Sequence, residues 1–209
     1  MSELREHLSL LKKFLHSDFR KGFLWCTMTM LLSILAGFAL YQASPDVANE
    51  LIDRFNELVE QAGVLDAETG TISVFALLRN NWTAMLAVIL YGFIPFICFP
   101  VFSLFSNGLL IGVLAGLYQQ SEELTMTMYF AGILPHGIFE FPALLLAVSC
   151  GMYLCRNMGY AFLRTPKRPS IPEVVSDLLR VLLFLIAPLN VAAAFIEAYL
   201  TPMIMASFL

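Results

Sequence analysis

PHGIFEFPALLLAVSCG, residues 135–151, lies inside an apolar stretch running from Met126 to Cys155. Read as a membrane-embedded helix, it places His136 and Glu140 four residues apart on one face, with Ala143, Ala147 and Gly151 following as a track of small residues. An acidic side chain at bilayer depth costs at least about 2.5 kcal/mol on insertion scales unless protein receives it. That face is therefore expected to look at protein and not at lipid. Pro135 has no N–H for the helical ladder, so the stretch is expected to break there into a short lead-in and a full helix from Gly137. The irregular backbone would then need neighbouring groups to satisfy it.

The rest of the chain supports the membrane reading. Of 209 residues, 59% are hydrophobic and 13% charged, and the mean hydropathy is +0.77, outside the range of ordinary soluble domains. No charged block is long enough for a separate soluble unit, so residues 1–209 are read as a single membrane domain. The fold class expected is all-α: a polytopic helical bundle of about five transmembrane spans, with amphipathic surface helices. A net charge of −4 gives no reason to expect nucleic acid as a partner. Cys26, Cys98, Cys150 and Cys155 lack metal or redox spacing and read as buried apolar side chains.

Toward the amino terminus, Leu4, Leu8, Leu11, Leu15 and Phe19 recur at helical spacing among Arg5, Lys12, Lys13 and Arg20. This 1–21 segment reads either as an amphipathic helix on the membrane surface or as a basic flank that orients the first span. Gly22 to Tyr41 is taken as a retained first span and not a cleaved signal, because no A-x-A site follows. Residues 42–81 are polar, and Ser44-Pro45 starts a helix in which Val47, Leu51, Phe55, Leu58 and Val59 form a stripe. That helix is expected to pack onto the outer ends of the spans, with Ala62-Gly63 closing it and a turn at Glu68-Thr69-Gly70.

From Trp82 to Tyr118 no residue is charged over 37 positions, enough for two spans. Pro95 and Pro100 would kink the first, and Ser106-Asn107-Gly108 would turn the chain. Gly108, Gly112 and Gly116 make a ridge that a neighbouring backbone can approach closely, in this chain or in a second copy, which leaves a homodimer open. The last span, about Leu178 to Leu200, carries Asn190 and Glu197 on one face and should end at Thr201-Pro202. Five of the 12 lysines and arginines precede the first span and five more lie from Arg156 to Arg180. Five crossings put both groups on one side, so the expectation is a multi-pass protein of the cytoplasmic membrane with a cytoplasmic amino terminus and residues 42–81 outside.

The polar positions within spans are Asn107, His136, Glu140, Asn190 and Glu197. His136, Glu140 and Glu197 form a conceivable metal set, yet one histidine without an H-E-x-x-H pattern leaves no metal and no cofactor expected. Glu140 and Glu197 could instead mark a proton or ion path. The favoured reading is structural, with both carboxylates accepting from Asn107, His136 and backbone amides freed at Pro135. No G-x-S-x-G elbow is present and no catalytic residue is expected.

Taken together, Asn80-Asn81, Asn107-Gly108 with the glycine ridge, PHGIFE (residues 135–140), Ala143, Gly151 and AAFIEAYLTP (residues 193–202) resemble the stage II sporulation protein M family of integral membrane proteins. The resemblance implies a bacterial or archaeal membrane protein. In spore formers the family's namesake works with a lytic transglycosylase and an amidase that remodel septal peptidoglycan, as scaffold and localiser. It implies no catalytic residues. The function expected here is a non-catalytic membrane scaffold for a cell-envelope process, whose partners are the lipid bilayer and membrane or extracytoplasmic proteins such as peptidoglycan hydrolases. The alternative is a transport component using Glu140 and Glu197.

Overall fold

A computed structural model describes residues 2–61, 63, 72–166 and 168–208. Among them the chain is a helical bundle with no β-strand element, composed of α1 (Ser2–Leu15), α2 (Phe19–Ala43), α3 (Pro45–Gln61), α4 (Val74–Tyr91), α5 (Phe99–Gln120) and α6 (Met126–Phe162). A last helical run follows as α7 (Ile171–Val181), α8 (Ala187–Phe195) and α9 (Thr201–Met205), joined by π-helical turns at Leu182–Ile186 and Ile196–Leu200. Five helical stretches, α2, α4, α5, α6 and the α7–α9 run, are long and apolar enough to cross a membrane. The all-α polytopic bundle is thus what the chain forms.

Local sequence sets the boundaries. Ser73 caps α4 by accepting from the Ala76 N–H at 3.3 Å, and Thr125 caps α6 by accepting from the Met128 N–H at 3.3 Å. Ser170 and Glu173 form a reciprocal capping box at α7. Gly63, at φ +64°, turns the chain after α3 with its N–H donating to the Glu60 carbonyl. The expected turn at Glu68-Thr69-Gly70 lies outside the described residues, as does Ala62.

The glycine ridge finds its partner in the same chain. Gly108 lies against Ser33 and Met30, Gly112 against the Ile34 carbonyl and Phe38, and Gly116 against Tyr41, while Gly37 of α2 lies reciprocally against Leu109 of α5. Both sets of numbers increase together, so α2 and α5 run parallel with their backbones in contact. Their far ends are tied by amides: Gln42 donates to Gln119 at 2.7 Å and Gln120 donates back to Gln42 at 2.8 Å. Ala143, Ala147 and Gly151 do form a packing track: the two alanines share a core with Met85 and Ile89 of α4, and Gly151 lies against Val88 of α4 and Pro100 of α5. Both basic groups of the sequence fall at one end of the bundle, where Phe14 and Phe19 pack on Tyr153.

Several expectations are corrected. The helix does not break at Pro135: α6 continues through both Pro135 and Pro142. In an apolar medium each unpaired backbone group costs several kcal/mol, roughly, so losing one ladder bond per proline is cheaper than opening a whole turn. The turn is not at Ser106-Asn107-Gly108 either, since these residues lie inside α5. It is the apolar connection 92–98, built around Pro95, where Gly92, Phe93 and Ile94 donate to the carbonyls of Ile89, Leu90 and Tyr91. The Cys155 thiol donates to the Ile94 carbonyl at 3.4 Å, helping to satisfy that irregular backbone.

Thr201-Pro202 does not end the last span, because the helical run continues through Pro202 into α9, with the π turn at Ile196–Leu200 making room for the ring. The helix returning after α3 begins at Val74, inside the segment expected to be polar, and buries Leu77 and Asn81. Among the described side chains of α3 only Ala48 is fully buried, against Tyr41 and Val113, whereas Val47, Phe55 and Leu58 are exposed. In α1 the buried residues are Leu11 and Phe14, and Leu4 and Leu8 are exposed. Cys26, Cys150 and Cys155 are buried as expected, but Cys98 is exposed in the 92–98 connection.

Gly112→Leu must separate α2 from α5 and should lower stability by about 3 kcal/mol, the upper range for overpacking a tight interior. Gly22→Ala, whose added Cβ meets nothing within 4 Å, serves as the control and should leave the protein unharmed. Thermal unfolding in detergent checks both; an unchanged transition for Gly112→Leu would remove the contact from the account.

Candidate functional site

His136 and Glu140 project from α6 toward the last helical run. α6 and that run are antiparallel: Gly132 faces Met205 and His136 faces Thr201, so the same pairing brings Glu140 to Glu197. One ligand atom from each of His136, Glu140 and Glu197 lies within 4.8 Å of the others. His136 Nδ1 is 3.3 Å from Thr201 Oγ1, and His136 Nε2 is 3.9 Å from Glu140 Oε2, too long for a hydrogen bond. The imidazole is 14% exposed and the Glu140 side chain 29%. The cluster occupies the half of α6 nearer Met126, away from the basic end.

The two π turns position this face. At each, the amide bonds five residues back: Ala187 donates to Leu182 and Thr201 donates to Ile196. Each turn precedes a proline, Pro188 or Pro202, and contains the carbonyl four residues before it, that of Phe184 or Ala198. Widening the turn relieves the ring's clash with that carbonyl while the helix continues. Glu197 sits in the second π turn, and Thr201 directly follows it.

Chemically the cluster joins two carboxylate acceptors to an imidazole that can donate from one nitrogen and accept at the other. Two carboxylates beside an imidazole in a partly desolvated site repel one another unless a proton or a cation is shared among them. The residue types suit either: carboxylate oxygens and an imidazole can coordinate a cation, and the same groups can pass a proton. No ion is needed to explain the helix packing around them.

The remaining sequence candidates lie elsewhere. Asn107 is exposed on α5 and donates to the Ser103 carbonyl at 2.8 Å, one turn back, so it is not the donor expected for Glu140 or Glu197. The amides expected from a break at Pro135 are likewise missing, because no break occurs. Gly108, Gly112 and Gly116 serve the α2–α5 contact, and Gly137 packs against the Phe141 ring of its own helix. Asn190 is fully buried on α8 and donates to Met85 Sδ at 3.7 Å, leaving its carbonyl oxygen without a partner.

Sequence reasoning sets Asn81 beside Asn80 ahead of a span and does not count it among the polar positions within spans. It is buried on α4, one turn before Met85, with its amide nitrogen unpartnered. A buried amide donor on α4 and a buried amide acceptor on α8 thus lie on packed helices. Their signal was a pair of asparagines at helical depth in otherwise apolar segments.

With this geometry in hand, the stage II sporulation protein M family model matches residues 26–202. The chain belongs to the stage II sporulation protein M family. The match begins in the first span and takes in the glycine ridge, the PHGIFE motif and Glu197. An uncharacterized protein of Methanocaldococcus jannaschii is 35% identical over 129 residues, which cover 62% of this chain and 71% of that one. No solved structure matches the chain.

His136→Leu removes the imidazole from both Thr201 and Glu140 and should cost about 1–3 kcal/mol, the usual penalty for orphaning buried polar groups. Glu197→Gln keeps a hydrogen-bonding side chain and removes one of two facing carboxylates, so it should be neutral or stabilising. Thermal unfolding of both variants in detergent is the check. A destabilised Glu197→Gln would mean that the second carboxylate's charge is itself held by an attractive partner.

Proposed function

We propose that this member of the family is a non-catalytic integral membrane scaffold or localisation protein for a cell-envelope process. Its partners would be membrane or extracytoplasmic proteins, with peptidoglycan-remodelling enzymes as the leading class. The observation that carries the reading is a tightly packed body that holds, at the end away from the basic residues, an amphipathic helix with its apolar face uncovered. The body rests on the backbone contact of α2 with α5. α3, at the end opposite the basic residues, leaves Val47, Phe55 and Leu58 exposed beside Glu50, Asp53 and Glu57. An amphipathic face held on a rigid bundle suits recruitment better than chemistry. Under this reading the amino terminus lies in the cytoplasm and α3 outside the cytoplasmic membrane, an orientation that positive-inside bias supports.

The test uses a deletion strain whose septal and lateral peptidoglycan hydrolases carry fluorescent tags. Wild-type protein should restore their placement, and Phe55→Glu with Leu58→Glu should fail to do so while reaching the membrane at normal abundance. Hydrolase placement that is unaltered by the deletion itself would end the scaffold reading. A cysteine introduced at Glu57 should react with a membrane-impermeant maleimide in intact cells, which checks the orientation.

The meeting of His136, Glu140 and Glu197 favours a second reading, passage of a proton or small cation. Under it, protein reconstituted in liposomes carries a pH- or cation-driven flux, and Glu140→Gln abolishes that flux without lowering the unfolding temperature. Liposomes as tight with wild-type protein as without it would dispose of this alternative.

A further inference from the structure

Two cavities at the basic end of the bundle meet. The larger, about 500 Å³, is a groove between the start of α2, the 92–98 connection and the last third of α6. Its walls are apolar, with Trp25, Phe96, Val101, Met152 and Leu163 among them. The smaller, about 250 Å³, is a polar basin that includes Ser17, Asn157, Thr165 and Arg168. Asp18, Tyr153, Arg156 and Tyr160 line both. An apolar slot therefore opens directly into a basin carrying two guanidinium groups.

The charges in this mouth are arranged for an anion. The guanidinium carbon of Arg156 lies 5.2 Å from the Tyr153 ring centre and 6.0 Å from that of Tyr160, so the rings hold it by cation–π attraction. No carboxylate among the described residues forms a salt bridge with Arg156 or Arg168. Asp18, the acidic residue of the mouth, is already paired with Lys21 at 3.5 Å. Arg156 is thus steered by aromatic faces and keeps its N–H donors for an incoming oxyanion.

The depth fits a lipid. Trp25 and Tyr160 are exposed at the same end as Arg20, Lys21, Arg156, Arg164 and Arg168, the arrangement of a membrane–water boundary. Basic pockets between spans at that level take anionic headgroups, and a slot of this volume is in the range of small-molecule sites. We propose that the joined cavities bind one anionic phospholipid from the adjoining leaflet. Its phosphate sits between Arg156 and Arg168, and an acyl chain lies in the groove along Trp25, Phe96 and Met152.

Gly22 supplies the decisive variant. It lines the groove, and a Cβ added there meets nothing within 4 Å, so a large side chain can fill the slot without disturbing the fold. Delipidated full-length protein in detergent is titrated with phosphatidylglycerol or phosphatidylcholine, and bound lipid is counted by native mass spectrometry. Wild type should retain one phosphatidylglycerol with about tenfold preference over phosphatidylcholine, because both lipids offer the phosphate but phosphatidylcholine also brings a choline cation against the two guanidinium groups. Arg156→Gln with Arg168→Gln should reduce that preference to parity, and Gly22→Phe should abolish retention of both lipids at an unchanged unfolding temperature. Equal retention of the two lipids by wild type, a preference surviving either variant, or displacement of the lipid by millimolar inorganic phosphate would each overturn the proposal.

Discussion

At Gly112 the α5 backbone meets the Ile34 carbonyl of α2 so closely that no side chain fits between them. Association of helices within lipid has no hydrophobic term to draw on, so close backbone approach is the main source of attraction available. The contact is parallel, and this constrains everything downstream. Two adjacent parallel spans cannot be joined by a short turn, so a third crossing must return between them. α4 is that crossing, and the apolar 92–98 connection is what lets it reach α5 at the basic end. α6 must then run down beside α4, which it does with Gly92 and Gly151 in backbone contact.

Proline placement follows the same demand for backbone satisfaction, and it separates four outcomes. Pro95 stands in the connection, where neighbouring amides turn back on nearby carbonyls and Cys155 supplies a donor. Pro100 and Pro172 stand in first turns of helices, where an N–H would be unused. Pro135 and Pro142 are carried inside α6, each forgoing one bond. Pro188 and Pro202 each follow a π turn. Position relative to the ends of the folded spans, and not of the apolar runs, decides among these outcomes more than the presence of the ring does, since the cost of a break rises with distance from water.

This explains what was legible in the sequence. The five apolar runs, the basic segregation and the glycine spacing are repeated signals, and the structure shows the spans, the shared basic end and the backbone contact. PHGIFE and Glu197 were singled out by charge in an apolar setting, and helix pairing brings them together. The boundaries were harder. Asn107-Gly108 carries the composition of a turn, yet Gly108 is spent on packing against Ser33, a demand invisible without the partner helix. Pro135 looked like a breaker because a local rule was applied where the surrounding medium reverses the balance. Asn81 stands out in the sequence only as part of Asn80-Asn81 before a span, and its burial depends on a helix more than a hundred residues away.

The cluster of His136, Glu140 and Glu197 and the fold are coupled through the last helical run. Glu197 reaches Glu140 because α6 and the run are antiparallel in a register set by His136 at Thr201 and Gly132 at Met205. The π turn at Ile196–Leu200 is part of that register, since it inserts the wider turn between Asn190 and Thr201 that a straight α-helix lacks. A regular helix would still bury Asn190 against Met85, but Thr201 would then be rotated by a substantial fraction of a turn away from His136. The wide turn therefore reconciles two polar contacts, one with α4 and one with α6, that a uniform helix could not make together. Partial desolvation of two facing carboxylates is the cost of that arrangement, and a shared proton or cation is the physical means of lowering it.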